Sequence, residues 1–206
     1  MRMLKRVAAV ATVAGLFIGP VAGAASAATR APERSSQVRL TGGDTSVTTA
    51  PGIAAALLEH GIVPLATAPG SQGAQVGSGG VTVHFTFPVT GGWVNLAQLR
   101  GTVWHQGGIL FLAPATGRQI LVSDFVISVH QGVLTAEVNG NPKTRVALLR
   151  LSLAHATIRS GRHYVRISGI AVTLTKTAAS ALDATFGTTL FTPGLDLGTA
   201  STLLRF

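Results

Sequence analysis

"VTVHFTFPVTGG", residues 81–92, decides the fold class. Val81, Val83, Phe85 and Phe87 alternate with Thr82, His84 and Thr86. Successive side chains of an extended chain point to opposite faces, so this alternation describes a strand with one buried and one solvated face. Pro88, which has no amide hydrogen to donate, and Gly91-Gly92 are expected to end it.

The same signature recurs downstream. Strands are predicted over residues 99–105, 108–113, 119–129, 133–138, 145–153 and 164–174, the last broken at Gly169. Gly107-Gly108, Gln131-Gly132, Asn139-Gly140 and Ser160-Gly161 punctuate them as hairpin turns. In "GTVWHQGGILF" (101–111) alternation puts Gly101, Val103 and His105 on one side and Thr102 and Trp104 on the other, with His105 at the rim of a Gly-Gly turn. Short strands without a long helix between them predict an all-β fold: an antiparallel β-sandwich, or a flattened barrel, of about 9–11 strands.

One or two short Ala-rich helices complete the expectation. "SVTTAPGIAAALLEHGIVPL" (46–65) and "VTLTKTAASALDATFGTTLF" (172–191) each run from a Thr-rich extended piece through an Ala-rich turn of helix to an apolar extended piece. Two such caps, one near each end of the domain, would close it. His60 is expected to meet the last carbonyls of the first helix.

Residues 1–27 read as a secretory signal peptide. Arg2, Lys5 and Arg6 precede an apolar run from Val7 to Ile18, Gly19-Pro20 breaks it, and Ala25-Ser26-Ala27 is a small-x-small cleavage site. The run is shorter than the ~20 residues that span a bilayer, and no transmembrane helix is expected after cleavage. Residues 28–45 read as a flexible leader, residues 46–206 as a single domain, and the Gly/Ser/Gln-rich stretch 67–80 as a mobile loop within it. The expected location is secreted or peripheral to the cell envelope.

The chain has no cysteine, which removes disulfides, thiol catalysis and Cys-ligated metals. Its 16 Lys+Arg less the three in the signal peptide leave 13 against 7 Asp+Glu, a net of +6. A basic exported domain is drawn to anionic envelope polymers or to a small acidic ligand. Sparse aromatics and the lack of any nucleic-acid module argue against nucleic acid.

Catalytic constellations are missing from the sequence: it has neither G-x-S-x-G nor H-E-x-x-H. Of the seven carboxylates only Asp124 and Glu137 are expected on neighbouring strands, where an acid more readily caps a bulge or pairs with an arginine than does acid–base work. His84 and His105 are candidate cross-strand neighbours, but without a carboxylate beside them no metal site is predicted. "RHYVRI" (162–167) places Arg162, Tyr164 and Arg166 on one strand face, a docking face for a carboxylate or phosphate.

"FTFPVTGG" (85–92) followed by "LRGTVWHQGGILF" (99–111) resembles the haem-transport-associated (HtaA-type) domain of exported actinobacterial proteins. Those domains carry an F-x-F-P-like strand and then a G-x-V-x-F-x-x-H-x-G-x-L-like hairpin; here the histidine stands one residue earlier relative to the valine. "LTAEV", "ALLRLSLA" and "VTLTKTAASALDATFG" extend the likeness over roughly residues 79–204. The resemblance implies an all-β fold and, as cofactor, haem held by a tyrosine assisted by a histidine. The histidine maps to His105, but the segment before the F-P strand, residues 46–80, contains no tyrosine. The expectation is therefore an exported, non-catalytic HtaA-like protein acting in binding or at the cell envelope. The alternative is a haem binder or relay that uses His105, stacks the porphyrin on Trp104 and meets its propionates with Arg162 or Arg166.

Overall fold

In the computed structural model, which describes residues 37–206, the strand that begins at residue 80 does not stop at Pro88 or at the glycines. The chain runs β1 (Gln37–Arg39), β2 (Gly42–Thr49), α1 (Ile53–Glu59), β3 (Val63–Thr67), β4 (Ser71–Gly77), β5 (Gly80–Asn95), β6 (Arg100–His105) and β7 (Gly108–Ala113). It continues β8 (Arg118–Ser128), β9 (Val133–Val138), β10 (Asn141–Ser152), β11 (Thr157–Ser160), β12 (Tyr164–Leu174), α2 (Lys176–Phe186) and β13 (Asp196–Arg205).

Of the two architectures the sequence left open, the barrel is the one adopted. β6 pairs with β5 on one side and β8 on the other, which joins the ends of the path β5-β2-β13-β12-β10-β9-β8 into a closed ring of eight antiparallel strands. Closure satisfies the edge amides that an open sheet would leave bare. β1, β4, β7, β3 and β11 are outer strands: β1 and β4 pair with β5, β7 with β8, β3 with β7, and β11 with β12.

Two long strands make the closure. β5 spans 16 residues; its first half pairs with β4 and β2, its second with β6 and β1, and the register shifts between Val89 and Gly91. The glycines thus bend the strand where the sequence suggested an end. β8 pairs with β7 up to Ser123 and with β6 from Val126, and between them lies a bulge in which Asp124 adopts φ 51°. Arg145 clamps that bulge, donating to the Asp124 carbonyl oxygen at 2.7 Å and to Glu137 Oε1 at 2.7 Å. Glu137 is thereby ion-paired, and Arg145 ties it to the strand kink at Asp124.

The expected signal peptide and residues 28–36 lie outside the described residues. The rest of the expected leader is sheet: β1 and β2 fall within residues 37–49. The stretch 67–80 is sheet too, since β4 pairs with β5 in unbroken register from Ser71↔Thr86 to Gly77↔Gly80. Its glycines and glutamines pack little, but backbone pairing with β5 needs no side chain. β11 and β13 also escaped the sequence reading.

Both helices form where the internal echo put them, and both pack on the same core rather than at opposite ends. α1 buries Ala54 and Leu57 and ends at His60, whose Nδ1 donates to the Ala56 carbonyl oxygen at 2.9 Å. α2 starts at Thr175, whose Oγ1 accepts from the Ala178 amide, buries Ala178, Ala179 and Leu182, and stops at left-handed Gly187. Beneath them Phe87 and Phe125 meet edge to face, ring centroids 4.8 Å apart.

Candidate functional site

The inward face of β6 is Gly101, Val103 and His105, as alternation requires, and Trp104 faces out. His105 is not at a wet rim. It lies opposite Val89 inside the wall and is only 4% exposed.

The polar company of His105 comes from strands far away in sequence. Its Nε2 lies 2.8 Å from Thr45 Oγ1 on β2, and Thr45 Oγ1 lies 2.8 Å from Thr202 Oγ1 on β13. Thr202 in turn donates to the Asp44 carbonyl oxygen at 3.3 Å. The other ring nitrogen, Nδ1, is buried and has no hydrogen-bond partner. Burial lowers the His105 pKa from 6.5 to about 4, opposed by the backbone of Phe125. At neutral pH His105 is an uncharged imidazole.

His105 lines an apolar cavity of about 220 Å³ in the barrel interior. α1 contributes Ile53, Ala54 and Leu57 to its wall and α2 contributes Leu182; Phe85, Phe87 and Phe125 supply aromatic surface. No Arg, Lys, Asp, Glu or Tyr lines it.

The other expected site residues are elsewhere. Trp104 is 50% exposed on the outside of the barrel. Arg162, Tyr164 and Arg166 are exposed at and before β12, where Arg166 pairs with Arg159 of β11 and Tyr164 with Arg205 of β13. Between β6 and β12 stand β5, β2 and β13, so the arginines and the phenol share neither a wall segment nor a face with His105. His84 and His105 are not neighbours either: His84 pairs with Gly73 and Thr48, whereas His105 pairs with Val89. Among the described residues no cluster of three or more His, Cys, Asp or Glu could hold a metal ion. Thr45 and Thr202, which fix the imidazole, were invisible to sequence reasoning because a threonine in an alternating strand reads as solvated.

Comparisons with known proteins bear on this closed barrel in two ways. The sequence profile of the HtaA family, described as Htaa, matches residues 65–188, more than half of the chain. The chain belongs to the HtaA family. Its fold is similar to the crystal structure of the C-terminal domain of HtaA from Corynebacterium glutamicum, at 17% identity and TM-score 0.53, covering 81% of this chain and 98% of that one. A domain-swapped dimer of a histidine-to-alanine variant of the same HtaA domain aligns at 21% identity and TM-score 0.44, covering 68% of this chain and 85% of that one. Among curated proteins no sequence matches.

The haem that an HtaA-type domain implies does not fit these residues. The cavity beside His105 is smaller than the roughly 300–1,000 Å³ of ordinary cofactor pockets. It offers no phenolate to bind iron and no cation to meet a propionate. The chain's one tyrosine, Tyr164, is on the outer wall.

Proposed function

We propose that this HtaA-family protein is an exported, non-catalytic binding protein that takes an uncharged, largely hydrocarbon ligand into the barrel interior. The observation that carries the reading is the apolar cavity beneath α1 and α2. A void of this size is costly: at about 24 cal/mol per Å³ it removes on the order of 5 kcal/mol, a large part of the ~5–15 kcal/mol by which a domain is stable. An apolar cavity of roughly 150 Å³ already takes up benzene. About 220 Å³ accommodates a short acyl or branched hydrocarbon group. The unpartnered Nδ1 of His105 gives such a ligand one polar atom to address with a hydroxyl head.

Isothermal titration calorimetry with 1-octanol tests the reading. A saturable one-to-one isotherm with a negative heat-capacity change is expected. Ala54→Leu places three more carbons in the cavity, so it should weaken binding at least tenfold while leaving the thermal midpoint equal or higher. An absence of saturable heat, or an affinity indifferent to Ala54→Leu, would sink the proposal.

The haem reading keeps one observation in its favour, the unpartnered imidazole nitrogen. Titration with hemin separates the two. The expected spectrum is that of free hemin; a Soret shift that saturates near one equivalent and vanishes in His105→Ala would favour haem instead.

Retention at the envelope has its own support. On the β11–β12–β13 face Arg159 sits directly opposite Arg166, and Arg205 lies opposite Tyr164. Among the described residues the single ion pair is Arg145–Glu137, so these guanidiniums have no carboxylate partner. Like charges held face to face favour an anionic polymer as the counterpart. Washing intact cells with 1 M salt, where the Debye length is only about 3 Å, should release the protein into the medium. Retention at that ionic strength would refute an electrostatic tether.

A further inference from the structure

The chain has two tryptophans, and both stand on the same outer face of the β5–β6 pair. Trp93 is 36% and Trp104 50% exposed. Trp104 pairs with Gly91 and Trp93 lies two residues further along β5, a diagonal neighbour at about 7–8 Å between strands. They flank a cleft of about 440 Å³ rimmed by Gln37, Arg39 and Thr90. This face is separate from the interior cavity, and nothing in the proposed function uses it.

Backbone contacts position the platform. Trp104 lies across Gly91, where even a methyl group would come within 3.2 Å of its ring. Thr90 Oγ1 donates to the Trp104 carbonyl oxygen at 3.3 Å. β1 places Arg39 directly opposite Trp93. The one aromatic pair among the described residues is Phe87–Phe125, so neither indole spends its face on the other. Exposed apolar surface bordered by polar side chains marks a binding site.

The lining chemistry selects the ligand. It holds two flat indoles, one cation, one amide and one hydroxyl, and no carboxylate. Nucleic acid and anionic lipid surfaces are held by several cations acting together. A protein partner at standard size engages about 20–30 residues a side, whereas eight line this cleft. A sugar ring has what the cleft matches: an apolar C–H face that stacks on an indole, and an edge of hydroxyls for amide, guanidinium and threonine groups. Two indoles on a diagonal suit successive units of one chain better than a single free sugar.

We infer that the Trp93–Trp104 cleft is a carbohydrate platform that binds a neutral polysaccharide chain. Affinity electrophoresis of the protein through gels cast with soluble arabinogalactan, dextran or hydroxyethylcellulose reads this directly. At least one polymer should retard the protein, and binding should quench or shift tryptophan fluorescence. Trp93→Ala and Trp104→Ala should each weaken retardation at least tenfold, with Trp→Phe at either position intermediate. Tyr164→Ala, which removes another exposed aromatic, should leave it unchanged, and circular dichroism should match for all variants. No retardation on any polymer, or retardation equal in the tryptophan variants, overturns the inference. So does a wild-type dimer in size-exclusion chromatography that becomes a monomer in both alanine variants, because a second copy then occupies the cleft. Octanol binding in the interior is unaffected by any of these outcomes.

Discussion

Acidification from pH 7 to pH 4 will destabilise the protein by on the order of 3 kcal/mol, and His105 alone will account for most of that loss. The imidazole is 4% exposed, and its folded-state pKa lies near 4 against 6.5 when free. Above pH 6.5 it is neutral in both states and contributes no pH dependence. Between pH 6.5 and 4 the unfolded chain takes up a proton that the folded chain refuses. Bound protons then favour the unfolded state, and stability falls as pH falls. Below pH 4 both forms are protonated and this contribution levels off. No carboxylate is paired with His105 to soften the effect. Urea denaturation at pH 7, 6, 5 and 4 measures the slope. His105→Gln, which can still hydrogen-bond Thr45 but does not titrate, should flatten it. A slope that survives in His105→Gln would assign the acid sensitivity to other groups.

Gly92→Ala will cost about 3 kcal/mol or more and will leave little folded protein at 37 °C. Gly92 has φ 119°, a conformation that side-chain-bearing residues rarely adopt, and a methyl group there would collide with the Thr102 carbonyl oxygen. The contact is with the backbone of β6, the strand that closes the ring, so relief requires β5 and β6 to separate. Gly117 supplies the comparison. Its φ is 68°, but a methyl group would meet nothing within 4 Å. Gly117→Ala should cost only about 1 kcal/mol, the ordinary penalty of the left-handed region. Equal losses in the two variants, measured by chemical denaturation, would show that close strand approach at the closure does not control stability.

Much of the fold was legible because its signals are local. The β7, β9 and β12 boundaries coincide with the predicted strands, and β6 and β8 differ from theirs by a single residue at the ends that move. Asn139 and Gly140, with φ 53° and 67°, make the tight turn their sequence announces. The errors have a common source. Residues 71–77 carry no apolar alternation, and the pairing that makes them a strand is supplied by the backbone of β5. At Gly91-Gly92, glycines that permit a stop also permit a bend, and only the partner strands β6 and β1 decide which occurs.

By itself the sequence determined an all-β chain with two Ala-rich helices, the in–out order of residues along β6, and the lack of a tyrosine before the F-P strand. It could not determine what "in" means. Ring closure depends on register between strands 40 to 157 residues apart, such as Ser46 with Thr86 and Thr45 with Thr202, and no local pattern encodes that. Closure turned the smaller face of β6 into the barrel wall and brought Thr45, itself bonded to Thr202, to one nitrogen of His105. The same closure set both tryptophans together on the outside. The periodicity of a strand assigns each side chain to one of two faces; only the tertiary structure decides which of them meets water.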